Sequence, residues 1–354
     1  MFSLNDYHYD LPPDLIAQQP AAQRDRSNLL HLERQTGALS HHRFNEIGGF
    51  LKPGDVLVVN DTAVIPGRLE GKKGTGGKVE VLISDYAKSC KSGDNYGNFI
   101  CKCLVKASKC PGSGTWLYFA DGLKAEVLDA CNGTHTLKFY VHGNFETLLD
   151  NIGQVPLPPY IKRRHTGVPP CDDNASYQTV YAGPRGAIAA PTAGLHFTKE
   201  LVNTLRNDGV NIVTLTLHVG YGTFLPVRVS DIRMHQMHSE QFTISAKSAE
   251  TINIARNSGK RVVAVGTTCV RTLEYSVNSE GYVAAGSGSC DLFIVPGHLF
   301  KVVDAMITNF HLPQSTLLML VSAFAGRKKV LNAYRKAISK KYRFYSYGDA
   351  MLIT

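Results

Sequence analysis

The sequence lacks any apolar run long enough to cross a bilayer. Its longest, residues 317–325, falls well short of the ~20 residues a spanning helix needs and reads as a buried helix. The opening Met1-Phe2-Ser3-Leu4-Asn5-Asp6 has neither the basic region nor the apolar stretch of a secretory signal, so a cytoplasmic protein with no membrane contact is expected. No CxxC pair occurs among Cys90, Cys101, Cys103, Cys110, Cys131, Cys171, Cys269 and Cys290. Reduced thiols are therefore expected, and Cys101-x-Cys103 with Cys110 is a poor match to zinc spacing. No GxGxxG follows the first strands and no GxxxxGK[ST] occurs anywhere, which removes support for the common dinucleotide and P-loop readings.

What is present is an ordinary globular composition, 44% hydrophobic and 19% charged, in 354 residues, enough for two domains with sizeable cores. The net charge is +9, which suits a polyanionic partner such as RNA. One basic cluster is Lys162-Arg163-Arg164-His165; a second includes Arg327-Lys328-Lys329, Arg335-Lys336, Lys340-Lys341 and Arg343. The second also reads as the solvated face of an amphipathic helix whose apolar stripe is Val330, Leu331, Tyr334, Ala337 and Ile338. A solvated basic face is what phosphates would meet, so both readings can hold.

Residues 79–142 carry short β-type segments (79–83, 99–105, 116–119 and 136–141) separated by Gly, Asn and Asp turns, the pattern of a small antiparallel barrel or sandwich. Proline-rich residues 153–160 read as a stiff exit linker. From about Tyr177, strands alternate with helices: strands at 187–190, 210–219, 261–265 and 291–295, a helix capped by Thr198 and ended by Gly209, and another at 248–257. Residues 55–59 read as a buried strand of the same unit. The expected fold is α/β: a mixed, largely parallel α/β domain (residues 1–62 and 153–354) interrupted by an inserted small antiparallel β-barrel domain (residues 63–152).

Loops after parallel strands are where such domains bind ligands. Here they carry Asn60-Asp61-Thr62, then Pro191-Thr192-Ala193-Gly194-Leu195-His196, Gly220-Tyr221-Gly222-Thr223 and Gly266-Thr267-Thr268, the last opening a helix with Arg271 and Glu274. In the strand 213–219, Thr214, Thr216 and His218 share one face, so His218 closes a polar row just before a glycine pair. It is read equally as a structural histidine or a catalytic one. Gly266-Thr267-Thr268 is read as a plain N-cap or as donors to an anionic group. His235, His238 and Glu240 lie close in sequence, but without HExxH spacing or a third evident ligand, structural or substrate contacts are preferred over a metal. Asn309 and His311 precede a helix capped by Ser315 and suggest a further pocket wall.

These segments, in order, resemble one family, the S-adenosylmethionine:tRNA ribosyltransferase-isomerases of queuosine biosynthesis. The resemblance runs nearly end to end through Asp10-Leu11-Pro12, Leu15-Ile16-Ala17-Gln18, Asn60-Asp61-Thr62, Tyr177-Gln178-Thr179-Val180-Tyr181, 189–197, Leu217-His218-Val219-Gly220, Gly222-Thr223-Phe224, His235, 237–240, 264–268, 308–313 and 344–351. Two positions depart from the family's pattern, which favours arginine where this chain has Ala63 and Asn28, removing two possible anion contacts.

The resemblance implies an α/β domain with an inserted barrel, a monomer, and no metal or other cofactor. S-adenosylmethionine would be a co-substrate, and the partner a tRNA carrying 7-aminomethyl-7-deazaguanine at the wobble position. Protons beside a sulfonium are acidic, so a neutral imidazole near the ribose C5′ suits their removal, while a second group protonates leaving adenine. Under this reading His218 or His196 is the base and Asp61 or Glu240 its partner. Asn60, Thr62, Thr192, Gly194, Gly220, Gly222, Thr223, His235, His238, Gly266, Thr267, Thr268, Arg271, Asn309 and His311 contact substrate, and Lys162, Arg163, Arg164, Arg335, Lys336 and Lys340 contact tRNA. A tRNA methyltransferase, a non-catalytic RNA-binding protein and a metal hydrolase are the competing readings.

Overall fold

The computed structural model describes residues 2–87, 90–91, 98–131, 133–163 and 171–354. In chain order the first strands are β1 (Asn28–Leu32), β2 (Leu39–Arg43), β3 (Val56–Asn60) and β4 (Ala63–Val64). They lead into β5 (Arg68–Lys73), β6 (Lys78–Ile83), β7 (Cys90–Lys91), β8 (Asn98–Ala107), β9 (Trp116–Phe119), β10 (Lys124–Cys131) and β11 (Thr134–Tyr140). Then come α1 (Phe145–Ile152), α2 (Asp173–Ser176), β12 (Arg185–Ala187), α3 (Lys199–Asn207), β13 (Asn211–Leu217), β14 (Glu240–Ile244), α4 (Ala246–Asn257), β15 (Val262–Val265) and α5 (Gly266–Tyr275). The chain closes with β16 (Gly286–Cys290), β17 (Ala305–Asn309), α6 (Thr316–Ala325), α7 (Arg327–Ser339) and β18 (Ala350–Ile353).

Nine strands form one sheet in the order β16-β14-β13-β3-β15-β17-β18-β1-β2. The inner run β13-β3-β15-β17 is parallel, and β18 pairs parallel with β1 but antiparallel with β17. All five residues of β3 are buried, as a central parallel strand covered on both faces requires. Alternation sends Val56 and Val58 to one core, with Ile252, Val270 and Leu273 of α4 and α5, and Leu57 and Val59 to the other, with Leu201 and Leu205 of α3. Thr198 caps α3 by accepting from the Leu201 N–H at 3.1 Å, and Ser315 caps α6 through the Leu318 N–H at 3.2 Å. Gly209, at φ +83°, ends α3 where a Cβ would also press on Pro53.

Strands β5, β6, β8, β9, β10 and β11 close into an antiparallel barrel through the β8–β11 pairing, around Leu69, Val81, Val127, Leu137 and Phe139. The fold is thus the expected mixed α/β sheet with an inserted small barrel. Cys101 and Cys103 face this barrel core with their sulfurs 3.6 Å apart. Two strand expectations are corrected. Residues 291–295 form no strand; Gly286–Cys290 pairs with β14 instead, and the strand expected at 187–190 is Arg185–Ala187. No helix among the described residues is long and apolar enough to cross a membrane.

Candidate active site

Because β14, β18 and β1 run against the inner strands, the C-terminal ends of β13, β3, β15 and β17 share one sheet edge with the starts of β14, β18 and β1. The loops at this edge hold two separate polar clusters.

The first lies beyond β3 and β13. Asn60 is a clamp: its Oδ1 accepts the Leu217 and Thr62 N–H groups at 3.0 and 3.1 Å, and its Nδ2 donates to the Leu217 carbonyl at 2.9 Å. The Asp61 Oδ1 accepts from the Thr216 hydroxyl at 2.6 Å, and His218 Nδ1 bonds the Thr62 hydroxyl at 2.8 Å. The His218 ring lies on the Gly186 backbone, where a Cβ would come within 2.6 Å of Nδ1. Burial lowers the His218 pKa below its usual 6.5 while the Asp61 charge pulls it back up. Among the described residues its Nε2 has no hydrogen-bond partner.

Glu240 stands beside this cluster, buried and committed. It pairs with Arg271 at 2.5 Å and accepts from the Gly220 N–H at 2.9 Å and the Thr223 hydroxyl at 3.5 Å. Arg271 also donates to the Leu292 and Cys290 carbonyls. Gly222 lies under the exposed His238 ring, and the half-buried His235 packs edge-on to Phe293, burial first and His238 second lowering its pKa. Gly266 starts α5 at φ +87°, beside Ala193, with Thr267 buried behind it. Among the described residues no group of three His, Cys, Asp or Glu is arranged to hold a metal.

The second cluster lies three strand positions away, roughly 14 Å at strand spacing. Here the short turn Thr192–His196 packs its Gly194 against Tyr181 and Thr179. His196 is buried and stacked on Phe44, with Nδ1 at 2.7 Å from the Ser27 hydroxyl and Nε2 at 3.4 Å from Asn309 Nδ2. Burial holds its pKa down at about 4, so the ring is neutral. His311 is turned into the core, bonded to the Thr308 hydroxyl at 2.7 Å, its pKa pushed down to about 3 by burial. Thus the two histidines proposed as base do not meet.

Of the basic residues, Lys162 is exposed, while Arg163 is held by Asp173 through bonds of 2.7 and 2.8 Å. Arg164 lies outside the described residues. Arg335, Lys336 and Lys340 project from the outer face of α7, opposite buried Val330, Tyr334 and Ala337. Sequence reasoning did not single out Gly186, Ser27 or Arg24, and it named Thr216 only as part of a polar row, Arg343 only in a basic cluster and Asp349 only within the matching segment 344–351. The signal for Ser27 was its place beside a departure from the family's pattern: Asn28 there bonds Asp349 through its N–H at 3.0 Å and its Nδ2 at 2.9 Å.

Sheet, inserted barrel and polar strand ends together define an α/β enzyme with no nucleotide-phosphate loop. Residues 4–353 match the family described as "Queuosine biosynthesis protein". The chain is 48% identical to the S-adenosylmethionine:tRNA ribosyltransferase-isomerase of Syntrophotalea carbinolica and 50% identical to that of Geotalea uraniireducens, covering 99% of both chains in each case. It is also similar to the crystal structure of an S-adenosylmethionine tRNA ribosyltransferase from Thermotoga maritima, at 36% identity and a TM-score of 0.55 over 99% of this chain and 100% of that one. The chain belongs to the queuosine-biosynthesis family of S-adenosylmethionine:tRNA ribosyltransferase-isomerases.

Proposed function

We propose that the chain transfers and isomerises the ribosyl moiety of S-adenosylmethionine onto 7-aminomethyl-7-deazaguanine at the tRNA wobble position, giving epoxyqueuosine-tRNA, adenine and methionine. The observation that carries this is end-to-end identity near one half with relatives bearing that activity's name. The sheet edge supplies suitable chemistry. His218 is the base, because among the described residues its Nε2 has no hydrogen-bond partner, whereas both His196 nitrogens are engaged. That role requires Nδ1–H to donate to Thr62, leaving the lone pair on Nε2 for the C5′ proton beside the sulfonium. Asp61 is its acidic partner in preference to Glu240, whose carboxylate is committed to Arg271. Loss of the C5′ proton breaks the C4′–O4′ bond, and O4′ collapses to an aldehyde at C1′ as adenine leaves with a proton. The tRNA amine adds at C4′ of the resulting vinyl sulfonium, giving up a proton, C5′ bonds to C1′, and the alkoxide so formed displaces methionine to close the epoxide. The protein acts as a cytoplasmic monomer without metal or cofactor, its tRNA held in part by Lys162, Arg335, Lys336 and Lys340.

The test is chromatography of small products after mixing the protein with S-adenosylmethionine and tRNA bearing the aminomethyl-deazaguanine. Adenine and methionine are expected only with that tRNA. S-adenosylhomocysteine would mean a methyltransferase instead.

A further inference from the structure

We infer that the cleft between Arg24 and Arg343 is an oxyanion subsite that takes a backbone phosphate of the RNA, an inference resting on tRNA being the substrate. Arg24, Ser27, His196, Arg343, Ser346 and Tyr347 line this narrow cleft beside the second polar cluster. Arg24 donates to the Gln178 and Ala175 carbonyls, both at 2.5 Å, which among the described residues leaves three of its five N–H groups. It is half-buried, and among the described residues the groups facing its charge are the rings of Tyr347 and Tyr181, with no carboxylate among them. A partly dehydrated guanidinium without a counter-ion favours an anion.

Arg343 adds a second fork. Its nearest carboxylate, Asp349 at 3.6 Å, already accepts from both nitrogens of Asn28 and from the Arg343 N–H, so the cleft keeps one positive charge in excess. Ser27 supplies a neutral donor by a tautomer argument. Asn309 Nδ2 is fixed as a donor by the Tyr345 carbonyl at 2.9 Å, so the His196 Nε2 it faces accepts. His196 therefore carries its proton on Nδ1 and donates to Ser27 Oγ, freeing the serine O–H to donate to a bound oxyanion.

Distance selects phosphate over the methionine carboxylate of the co-substrate. The cleft lies three to five strand spacings from the end of β13, roughly 14–24 Å from His218. Five bonds, about 7 Å, separate C5′ from that carboxylate, so with C5′ at His218 the carboxylate falls short of the cleft. An RNA strand, with a phosphate at every nucleotide, can reach it.

The experiment is binding of the aminomethyl-deazaguanine tRNA to the full chain across a KCl series, beside the KM for S-adenosylmethionine. Arg24→Gln is expected to weaken tRNA binding about tenfold and to reduce the slope of log K against log salt by about 0.7, with the S-adenosylmethionine KM unchanged. Arg24→Lys keeps the charge but not the fork, so it should restore the slope and only part of the affinity, a rescue that a purely structural role would not give. Arg343→Gln and Ser27→Ala should weaken tRNA in the same direction, and they carry the test if Arg24→Gln fails to fold. An unchanged slope with unchanged affinity overturns the subsite, as does a raised S-adenosylmethionine KM with normal tRNA binding. Adenine release by the unaltered chain reports separately on ribosyl transfer, so failure of the subsite is distinguishable from failure of that reading.

Discussion

Glu240 and Arg271 face each other at 2.5 Å with their side chains only 5% and 6% exposed, tying β14 to α5 at the edge where the polar loops gather. Removing one member strands the other charge in a dry site. Glu240→Ala is expected to cost about 3–5 kcal/mol in urea unfolding, and the paired replacement Glu240→Leu with Arg271→Met less than that. A wild-type unfolding midpoint for Glu240→Ala would show that the pair does not hold the edge together.

His218 is expected to work as a neutral base with a depressed pKa. His218→Ala should lower kcat/KM by about 10²–10⁴. In the unaltered protein, the acid limb of the kcat/KM profile should fall below pH 6.5, because burial disfavours the charged ring. Asp61→Asn removes the charge that raises this pKa and should shift the limb to still lower pH. A limb above 6.5, or a shift upward in Asp61→Asn, contradicts the assignment.

His196 and His311 tie stability to pH. Both are neutral in the folded chain, with pKa values of about 4 and about 3, against about 6.5 when unfolded. Between those limits the unfolded chain binds more protons, so stability rises with pH. Their contribution is complete above pH 6.5 and is lost as pH falls, until about 4 for His196 and about 3 for His311, at up to about 2.7 kcal/mol per pH unit while both titrate. Urea midpoints at pH 5 and 7 check this, and His311→Asn should flatten the dependence although it destabilises at both.

Two glycines under histidines should respond differently. A Cβ at Gly186 would come within 2.6 Å of the His218 ring, which Thr62 holds in place. Gly186→Ala is therefore expected to displace the imidazole and cut turnover at least tenfold while the fold persists. Gly222→Ala meets His238 just as closely, but that ring is exposed and can swing away, so its effect on turnover should be within twofold. Equal losses in the two variants would refute the distinction.

Local pattern revealed those parts of the fold whose partners are near or whose faces are plainly apolar. The buried run of β3, the Thr198 and Ser315 caps and the apolar stripe of α7 are of this kind. It failed where pairing overrides propensity. Gly286–Cys290 is a strand because β14 holds it in register, although Gly-Ser-Gly-Ser has no taste for extended structure, and the apolar residues 291–295 beside it are not. Arg68–Lys73 went unseen because a barrel strand with one face in water buries few of its side chains. The polar loops were legible as a set, but not their division into two clusters. That division follows from strand order, which places β3 and β15 between His218 and Asn309. Arg24 and Arg343 line one cleft although more than three hundred residues of chain separate them, a juxtaposition no spacing rule could show.

The placement of β18 between β17 and β1 has a consequence for biosynthesis. A nascent chain halted before residue 343 would already contain its barrel and both candidate bases, yet β17 and β1 would show bare edges to the cell. It would also lack Arg343, Ser346 and Asp349, and with them half of the second cluster. Closure of the large sheet and completion of the second cluster therefore arrive together, as residues 343–353 are added, and products truncated before them should be recognisable to quality-control proteases by those unpaired edges.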